Sequence, residues 1–374
     1  MKKEELKTPC YIIQKSKIIE NLEKLKQVSD KTGCKILLAQ KAFSMFYLYP
    51  LIGKYLSGTT ASGLYEARLG KEEMPNKEVH IYSPAYREDE INEITTIADH
   101  IVFNSPSQIK KYGKLAKDKG KSIGLRINPE CSTQEKAIYD PCALGSRLGT
   151  IKDKIEENIY DLIDGIHFHT LCEQNSDALK ITLDKVEENF GKHLHKMKWV
   201  NFGGGHHITR EDYDIKTLIN CIEKIQNNYN VQVYLEPGEA IALNAGILLT
   251  EVLDIVENGI KIGILDTSAA CHMPDVIEMP YRPPLKNSGQ KDEFVYNYRL
   301  SSATCLAGDI IGDYSFREPL KIGDRLEFQD MAIYSMVKNN TFNGMKLPDI
   351  VLEEDGNYKV IRAFNYEDFK NRLS

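Results

Sequence analysis

The segment KILLAQKAFS, residues 35–44, places a lysine just after a short apolar run that is typical of a buried strand. Ile36, Leu37 and Leu38 supply the apolar side chains, and Lys41 follows where the run ends. A lysine at the rim of a packed barrel is desolvated, which lowers its pKa and makes its amine a nucleophile. Most lysines are solvated, so Lys41 alone does not distinguish a surface residue from a catalytic one.

Similar β-like runs recur along the first two thirds of the chain, separated by stretches of helical period such as residues 105–120 and 175–194. The runs are residues 35–38, 58–61, 79–82, 100–103, 122–127, 165–168, 198–202 and 231–235. Strands that alternate with helices pair in parallel, and this pattern favours an α/β fold with a (β/α)8 barrel, whose active site lies at the C-terminal strand ends. A doubly wound open sheet is the alternative, but no GxGxxG turn follows the first run.

The pattern of apolar and polar residues changes after about residue 245. Residues 247–268, 324–336 and 356–364 alternate in a β-like manner, and Gly and Pro interrupt the region. We therefore expect three parts. Residues 1–24 are an N-terminal segment that joins the β domain, residues 25–245 form the barrel, and residues 246–374 form a C-terminal β-rich domain.

Composition excludes several classes of protein. The 374-residue chain has a formal net charge of -6 and no basic block, which argues against nucleic-acid binding. No apolar run approaches the ~20 residues that span a bilayer, and the N-terminus lacks the apolar core of a secretory signal. The eight cysteines form no CxxC pair and the histidines lack metal-site spacing, so we expect reduced thiols, a cytoplasmic location and no metal.

Polar residues follow the predicted barrel strands and would face one pocket. Lys41, Arg126, His169 and Glu236 stand at four of the strand ends, and the glycines of NFGGG (201–205) follow another. Glycines there either form a tight turn or let N–H groups approach a phosphate. Glu236 needs either a protonated ring nitrogen or a structural arginine as its partner. Together these groups suit pyridoxal phosphate, whose aldehyde binds a lysine amine and whose protonated ring withdraws electrons.

The chain resembles the fold-type III pyridoxal-phosphate decarboxylases, the group of ornithine and diaminopimelate decarboxylases with an alanine-racemase-like fold. The motifs, in chain order, are AQKA (39–42), GLRI (124–127), HFHT (167–170), NFGGG (201–205), LEPGE (235–239), ATCLAGD (303–309) and TFNG (341–344). The resemblance implies that Lys41 carries the cofactor, His169 stacks on its ring, Glu236 contacts the ring nitrogen and Arg126 lies near the ring. Alanine racemases place an arginine at that nitrogen, so Glu236 favours decarboxylation.

The same resemblance extends to the phosphate and to a proton donor. It implies that Gly204, Gly205, Gly238 and Tyr334 contact the phosphate. It also implies that Cys305 protonates the substrate carbon after carbon dioxide leaves, and that this cysteine comes from the neighbouring subunit. A homodimer with shared active sites is therefore expected.

Departures from ornithine decarboxylases indicate a subgroup. Glu239 replaces an arginine after EPG, and Leu306 replaces an acid after the cysteine. HFHTLCE, GGGHH, EPGEA and CHMPDVIEMPYRP resemble the carboxynorspermidine and carboxyspermidine decarboxylases of this family. Their substrates end in a cationic polyamine tail, which calls for carboxylates. Glu239, Asp275, Glu278 and Asp309 are the candidates, and a solvated acid or a local turn is the alternative for each.

Three other functions remain open at this stage. They are a diaminopimelate or basic amino-acid decarboxylase, a non-catalytic regulator on the same fold, and a cofactor carrier with the same barrel. A regulator has no reason to retain Lys41, Glu236 and Cys305 together, and a carrier would lack the C-terminal domain. The sequence does not rank the two polyamine substrates, because one methylene is worth only ~1–3 kcal/mol in a pocket.

Overall fold

The structure, a computed structural model, describes residues 1–134 and 137–374 and consists of two compact units. The sheet unit contains residues 1–20 and 242–374, and the barrel unit contains residues 21–241. The first strand, β1 (Cys10–Gln14), is followed by helix α1 (Lys15–Thr32).

Eight parallel strands among the described residues close into a barrel, which confirms the predicted fold class. They are β2 (Lys35–Ala39), β3 (Gly58–Ala61), β4 (Glu78–Tyr82), β5 (His100–Phe103), β6 (Ser122–Arg126), β7 (Gly165–His167), β8 (Trp199–Asn201) and β9 (Gln232–Leu235). Each strand pairs in parallel with the next, and β9 pairs with β2 to close the ring. All C-terminal strand ends therefore lie at the same end of the barrel.

Helices alternate with these strands. They are α2 (Tyr49–Ile52), α3 (Leu64–Glu73), α4 (Ile91–Ile97), α5 (Pro106–Asp118), α6 (Ser176–Leu194), α7 (Ile215–Tyr229) and α8 (Glu239–Ala242). Helix α5 begins as its sequence predicts, because Pro106 takes the first turn and the Ser105 hydroxyl accepts the N–H of Gln108. No described helix combines the length and apolar character that crossing a lipid bilayer requires.

Large apolar side chains fill the barrel interior. Leu37, Val102, Trp199 and Tyr234 form one buried cluster there. The Trp199 indole fits because the neighbouring strand has a glycine, and a Cβ at Gly165 would lie 2.0 Å from the ring. The barrel is therefore a packed core rather than a channel, as this fold requires.

The sheet unit contains one mixed sheet that includes β1. Its other strands are β10 (Gly246–Asn258), β11 (Ile260–Leu265), β12 (Tyr296–Ser302), β13 (Ile310–Phe316), β14 (Arg325–Gln329), β15 (Asp349–Glu354) and β16 (Asn357–Arg362). The order is β13-β12-β11-β10-β1-β15-β16, with β14 also paired to β10. Because β1 lies between β10 and β15, the N-terminal segment is part of this sheet.

The remaining helices are short. In the sheet unit they are α9 (Ala269–His272), α10 (Asp275–Glu278), α11 (Ser335–Lys338) and α12 (Tyr366–Lys370). Single 3-10 turns occur at Lys3–Glu5, Phe46–Leu48, Ala137–Tyr139, Lys152–Lys154, Glu157–Asp161 and Phe342–Gly344.

Candidate active site

Lys41 lies two residues beyond the end of β2, in a turn that its backbone holds tightly. The N–H of Ala42 donates to the carbonyl of Ala39 at 3.1 Å, and the N–H of Ala39 donates to the carbonyl of Pro237, also at 3.1 Å. Gln40 is fully buried beside it. The end of β2 is thereby joined to the end of β9, where Glu236 is located.

A cavity opens at this end of the barrel. Its lining residues are Ala39, Lys41, Thr60, Ala61, Ser62, Tyr82, Arg126, His167, His169 and Glu236. They come from the C-terminal ends of six strands or from the residues directly after them. Lys41, Arg126, His169 and Glu236, which the sequence analysis singled out from four distant segments, share this one cavity.

The environment of Lys41 favours a neutral amine. Water reaches its side chain through the cavity, yet the surrounding protein desolvates the ammonium, and the Arg126 guanidinium repels it. These two effects lower the pKa of Lys41, and the carboxylate of Glu236 opposes them only in part. None of the described residues gives Lys41 a hydrogen bond or a salt bridge. A neutral, unpaired amine is the form that attacks an aldehyde.

Glu236 is buried, and both of its carboxylate oxygens are hydrogen-bonded. The Nδ2 group of Asn201 donates to Oε1 at 2.8 Å, and Nε2 of His167 lies 3.2 Å from Oε2. Burial by itself would raise the pKa of Glu236, but the pairing with His167 and the bond from Asn201 outweigh it and lower the pKa to about 2. The group is therefore an anion at neutral pH.

His169 and Arg126 are held by contacts with neighbouring strand ends. Nδ1 of His169 accepts the N–H of Gly204 at 2.7 Å, which leaves the proton of the neutral ring on Nε2. Burial, and then the cations Lys41 and Arg126, lower the pKa of His169 well below its usual value. Nη2 of Arg126 donates to the His169 carbonyl at 3.1 Å, and the guanidinium carbon lies 4.5 Å from the Tyr82 ring centroid.

The glycines after β8 and β9 allow close approach of backbone. Gly205 has a φ of +80°, and a Cβ there would lie 2.0 Å from the Leu171 carbonyl oxygen. A Cβ at Gly238 would lie 2.5 Å from the Cβ of Ala42, next to Lys41. No described residue accepts the N–H of Gly205 or of Gly238. Two N–H groups without acceptors at a loop end are suited to an anion.

Glu239 begins helix α8 at the same end of the barrel and is half-buried. Its carboxylate lies near the Cys172 thiol. Burial first, and then the carboxylates of Glu173 and Glu239, raise the pKa of Cys172 to about 11. Glu239 does not line the cavity, but its charge acts on Cys172, and Cys172 in turn acts on the pKa of Lys41.

Cys305 belongs to the sheet unit, on the loop between β12 and β13. It is exposed, and its N–H donates to Oδ1 of Asn343 at 2.8 Å. The same loop ends at Asp309, which is only 1% exposed. That carboxylate accepts hydrogen bonds from the hydroxyls of Ser268, Ser302 and Thr304 and from the N–H groups of Ala269 and Ala270. These five donors fix the Asp309 carboxylate and with it the loop that carries Cys305.

Tyr334, also in the sheet unit, has a strained backbone. Its φ of 55° and ψ of -39° form a three-residue turn in which the N–H of Ser335 donates to the Ile333 carbonyl at 2.6 Å. Such turns are rare and persist where the surrounding structure requires them. Asp275 and Glu278 each form an ion pair with the ammonium of Lys338, which neutralises part of their charge.

One group of potential metal ligands occurs among the described residues, at the N-terminal end of the barrel. Donor atoms of Glu78, His80 and His100 lie within 4.8 Å of one another. The ammonium of Lys35, however, already bonds Glu78. Nε2 of His80 lies 3.1 Å from the same carboxylate, and the two imidazole rings stack with centroids 4.0 Å apart, so these groups are already paired with one another.

Residues in and around the cavity that were not predicted from the sequence include Tyr82 and His167, which line it, Asn201, which donates to Glu236, and Cys172, which acts on the pKa of Lys41. Two of them were next to predicted residues, because HFHT begins with His167 and NFGGG begins with Asn201. A strand alternates its faces, so His167 points to the same side as His169, and this spacing was the available signal. Nothing in the local sequence indicates that His167 and Asn201 converge on Glu236.

Comparison with known proteins gives a family match over most of the chain. The family described as "Pyridoxal-dependent decarboxylase, C-terminal sheet domain" matches residues 10–332. A carboxynorspermidine/carboxyspermidine decarboxylase of Campylobacter jejuni is 46% identical, covering 99% of each chain. A carboxyaminopropylagmatine decarboxylase of Synechocystis is 40% identical, covering 98% of this chain and 96% of the relative.

A solved structure is also similar over nearly the whole chain. It is a carboxynorspermidine decarboxylase from Campylobacter jejuni in complex with norspermidine. It superposes with a TM-score of 0.91 at 44% identity and covers 98% of this chain and 100% of its own.

Proposed function

The chain belongs to the pyridoxal-dependent decarboxylase family, and we propose that it decarboxylates carboxynorspermidine, carboxyspermidine or both, yielding norspermidine or spermidine in polyamine biosynthesis. The observation that supports this most strongly is that Lys41 and Glu236 lie at adjacent strand ends in one cavity. Lys41 supplies an amine without a bonded partner among the described residues, and Glu236 supplies a buried anion. Relatives with 40% identity or more are named as decarboxylases of carboxylated polyamines.

The donor set of the cavity fits pyridoxal phosphate. When bound, this cofactor supplies an aldehyde that takes up amines and a ring that accepts the electron pair left on the substrate carbon when carbon dioxide departs. Lys41 would hold the aldehyde carbon, and Glu236 would accept a hydrogen bond from the ring nitrogen and keep it protonated. His169 offers a flat neutral ring, and the nearby Arg126 supplies a fixed positive charge.

For the phosphate we assign the backbone of Gly204, Gly205 and Gly238 and the hydroxyl of Tyr334. The absence of described acceptors for the N–H groups of Gly205 and Gly238 supports their part in this site. The N–H of Gly204 already donates to His169, so it contributes by positioning that ring. The strained backbone of Tyr334 supports a functional role for this residue.

Protonation of the product carbon is assigned to Cys305, acting from a neighbouring copy of the chain in a homodimer. Its exposure fits a residue that a partner covers on assembly, and Asn343 and Asp309 fix the loop that carries it. Apolar side chains of Leu306 and Phe342 are exposed beside it, as expected of an interface that a second copy buries. All eight cysteines are free, which supports a reducing, cytoplasmic setting.

The substrate tail carries ammonium groups, and Glu239 is the best-supported acid to bind one. It is half-buried at the C-terminal end of the barrel. Solvent there weakens the attraction between a carboxylate and an ammonium less than it does at an exposed site. Asp275 and Glu278 are further candidates, and each forms an ion pair with Lys338 that a substrate amine would have to replace.

A substrate panel tests this function. Purified protein with pyridoxal phosphate should release carbon dioxide from carboxynorspermidine or carboxyspermidine with a kcat/KM at least tenfold higher than from diaminopimelate, lysine or arginine. Carboxyaminopropylagmatine belongs in the panel because of the Synechocystis relative. A preference for diaminopimelate or a basic amino acid would contradict the substrate assignment, and no release from any compound would contradict the enzyme assignment.

A further inference from the structure

Glu236 receives one hydrogen bond on each carboxylate oxygen, from Asn201 at 2.8 Å and from His167 at 3.2 Å. We propose that Asn201 and His167 are positioning residues that keep Glu236 ionised and correctly oriented, so that the cofactor ring nitrogen stays protonated. This inference rests on the proposed function and adds to it the groups that control the acid.

Asn201 can act only as a donor toward Glu236. Its Oδ1 accepts the N–H of Gly203 at 2.8 Å, and its Nδ2 faces the carboxylate. Flipping the amide would set NH2 against N–H and oxygen against carboxylate, so the two neighbours fix its orientation. Asn201 is fully buried on β8. The Asn201 side chain thus bonds both the turn into the glycine-rich loop and the ionised carboxylate of Glu236.

His167 is restrained in a similar way. Facing a carboxylate, Nε2 must carry the proton, and Nδ1 then has a lone pair with no partner among the described residues. Protonation would place an unsatisfied N–H on that buried nitrogen, which is costly. The ring stacks on Tyr82 with centroids 5.5 Å apart and planes 19° apart, and the guanidinium of Arg126 lies against the same tyrosine. His167 therefore remains a neutral donor whose ring cannot readily turn away.

Replacing Asn201 by aspartate would reverse its effect at almost unchanged shape. One aspartate oxygen still accepts the N–H of Gly203, but the other meets Glu236 with a like charge instead of a donated hydrogen bond. Two carboxylates in one buried site do not both ionise readily, so the pKa of Glu236 rises. A protonated Glu236 no longer supports a proton on the ring nitrogen. Each unit by which this pKa rises changes the protonation equilibrium tenfold, about 1.4 kcal/mol.

The experiment compares wild type, Asn201→Asp and a matched control, Asn128→Asp. Asn128 is also a buried asparagine at a strand end, and its Oδ1 accepts the Glu130 N–H, which an aspartate retains. Each protein is loaded with pyridoxal phosphate labelled with 15N in the ring, and the 15N chemical shift is followed with pH. Wild type and Asn128→Asp should hold the resonance at the protonated position through neutral pH. Asn201→Asp should shift it toward the unprotonated position.

Each outcome bears on the proposal. An Asn201→Asp resonance equal to that of wild type would overturn it, as would an equal shift in Asn128→Asp. If Asn201→Asp does not fold, Asn201→Ser removes the donor without adding charge and should shift the resonance in the same direction by less. If neither variant folds, the 13C chemical shift of the Glu236 carboxylate is followed with pH in wild type, and Glu236→Gln identifies its signal. A Glu236 carboxylate that titrates in the ordinary range would refute the proposal. Failure of wild type to bind the cofactor at all would instead refute the proposed function.

Discussion

The two ends of the barrel carry the same kinds of ionisable residue and differ in how they are paired. At the N-terminal end, Lys35, Glu78 and His100 begin three of the strands, and His80 lies two residues along one of them. The Lys35 ammonium bonds one oxygen of Glu78, and Nε2 of His80 lies 3.1 Å from the other. The carboxylate is satisfied by its own neighbours and has nothing left to offer a ligand.

The C-terminal end has a lysine, a glutamate and histidines as well, but lysine and glutamate are not bonded to each other. Lys41 has no bonded partner among the described residues, and Glu236 is bound by two neutral donors. The neutral amine of Lys41 and the negative charge of Glu236 are therefore available to a third molecule. Residue type alone does not distinguish a structural charge network from an active site. The difference is whether the lysine and the glutamate are bonded to each other.

The largest expected effect is that of Lys41→Ala. Loss of the amine that holds the cofactor should remove the absorbance of lysine-bound pyridoxal phosphate and lower kcat by about three orders of magnitude or more. Lys35→Ala, at the other end of the barrel, is the matched control and should retain the spectrum and most of the activity. Absorption spectroscopy and initial rates measure both effects. An unchanged spectrum in Lys41→Ala would show that Lys41 does not hold the cofactor, and the two ends of the barrel would then not differ in this respect.

Glu236→Gln should have the next largest effect. A neutral amide cannot stabilise a protonated ring nitrogen, so kcat should fall by about 100-fold, while the lysine-bound cofactor remains detectable. Glu78→Gln should change kcat by less than about threefold, because its carboxylate pairs with Lys35 and His80 at the opposite end of the barrel from the cavity. Steady-state kinetics of the two variants measure this, and equal losses would show that the two carboxylates are equivalent.

A smaller effect is expected for Glu239→Gln. Removing one charged contact to a substrate ammonium costs about 1.5–3 kcal/mol, so KM should rise about tenfold or more with little change in kcat or in the cofactor spectrum. Glu173→Gln is the control, because the charge of Glu173 also acts on Cys172 but its side chain is exposed. If KM responds equally to both substitutions, the effect comes from general charge and not from a binding contact.

The smallest effect concerns stability in acid. Burial raises the pKa of Glu78, but His80 and Lys35 outweigh it and lower the pKa from 4.5 to about 2. The stabilisation is therefore complete above the unfolded-state value near 4.5 and is lost as the pH falls toward 2. Glu78→Gln should be less stable than wild type at neutral pH by about 1 kcal/mol, and this difference should shrink in acid. Urea denaturation at several pH values measures it, and a pH-independent difference would contradict the pairing.

Much of the fold was predictable because its signals are local. The β-like run at residues 35–38 became β2 (Lys35–Ala39), and the helical stretch at residues 175–194 became α6 (Ser176–Leu194). Parallel strands bring their C-terminal ends together, so the sequence could also predict that Lys41 and Glu236 share one pocket.

Pairing across distant segments was not predictable. ATCLAGD does not reveal that three hydroxyls and two N–H groups converge on Asp309. Both N–H groups and one of the hydroxyls come from the distant residues 268–270. The sequence predicted Asp309 only as an acid that could bind substrate, and the burial of its carboxylate among these donors could not be foreseen. The donors around Glu236 were missed for the same reason, since β7, β8 and β9 meet only in the closed barrel.

The central claim is that the cofactor is bound by the lysine at the C-terminal end of the barrel. Reduction of the pyridoxal phosphate-loaded protein with borohydride fixes the cofactor on the lysine that holds it, and peptide mass spectrometry identifies that residue. We expect one modified peptide, carrying the added mass on Lys41. The same mass on Lys35, or on no lysine at all, would contradict it.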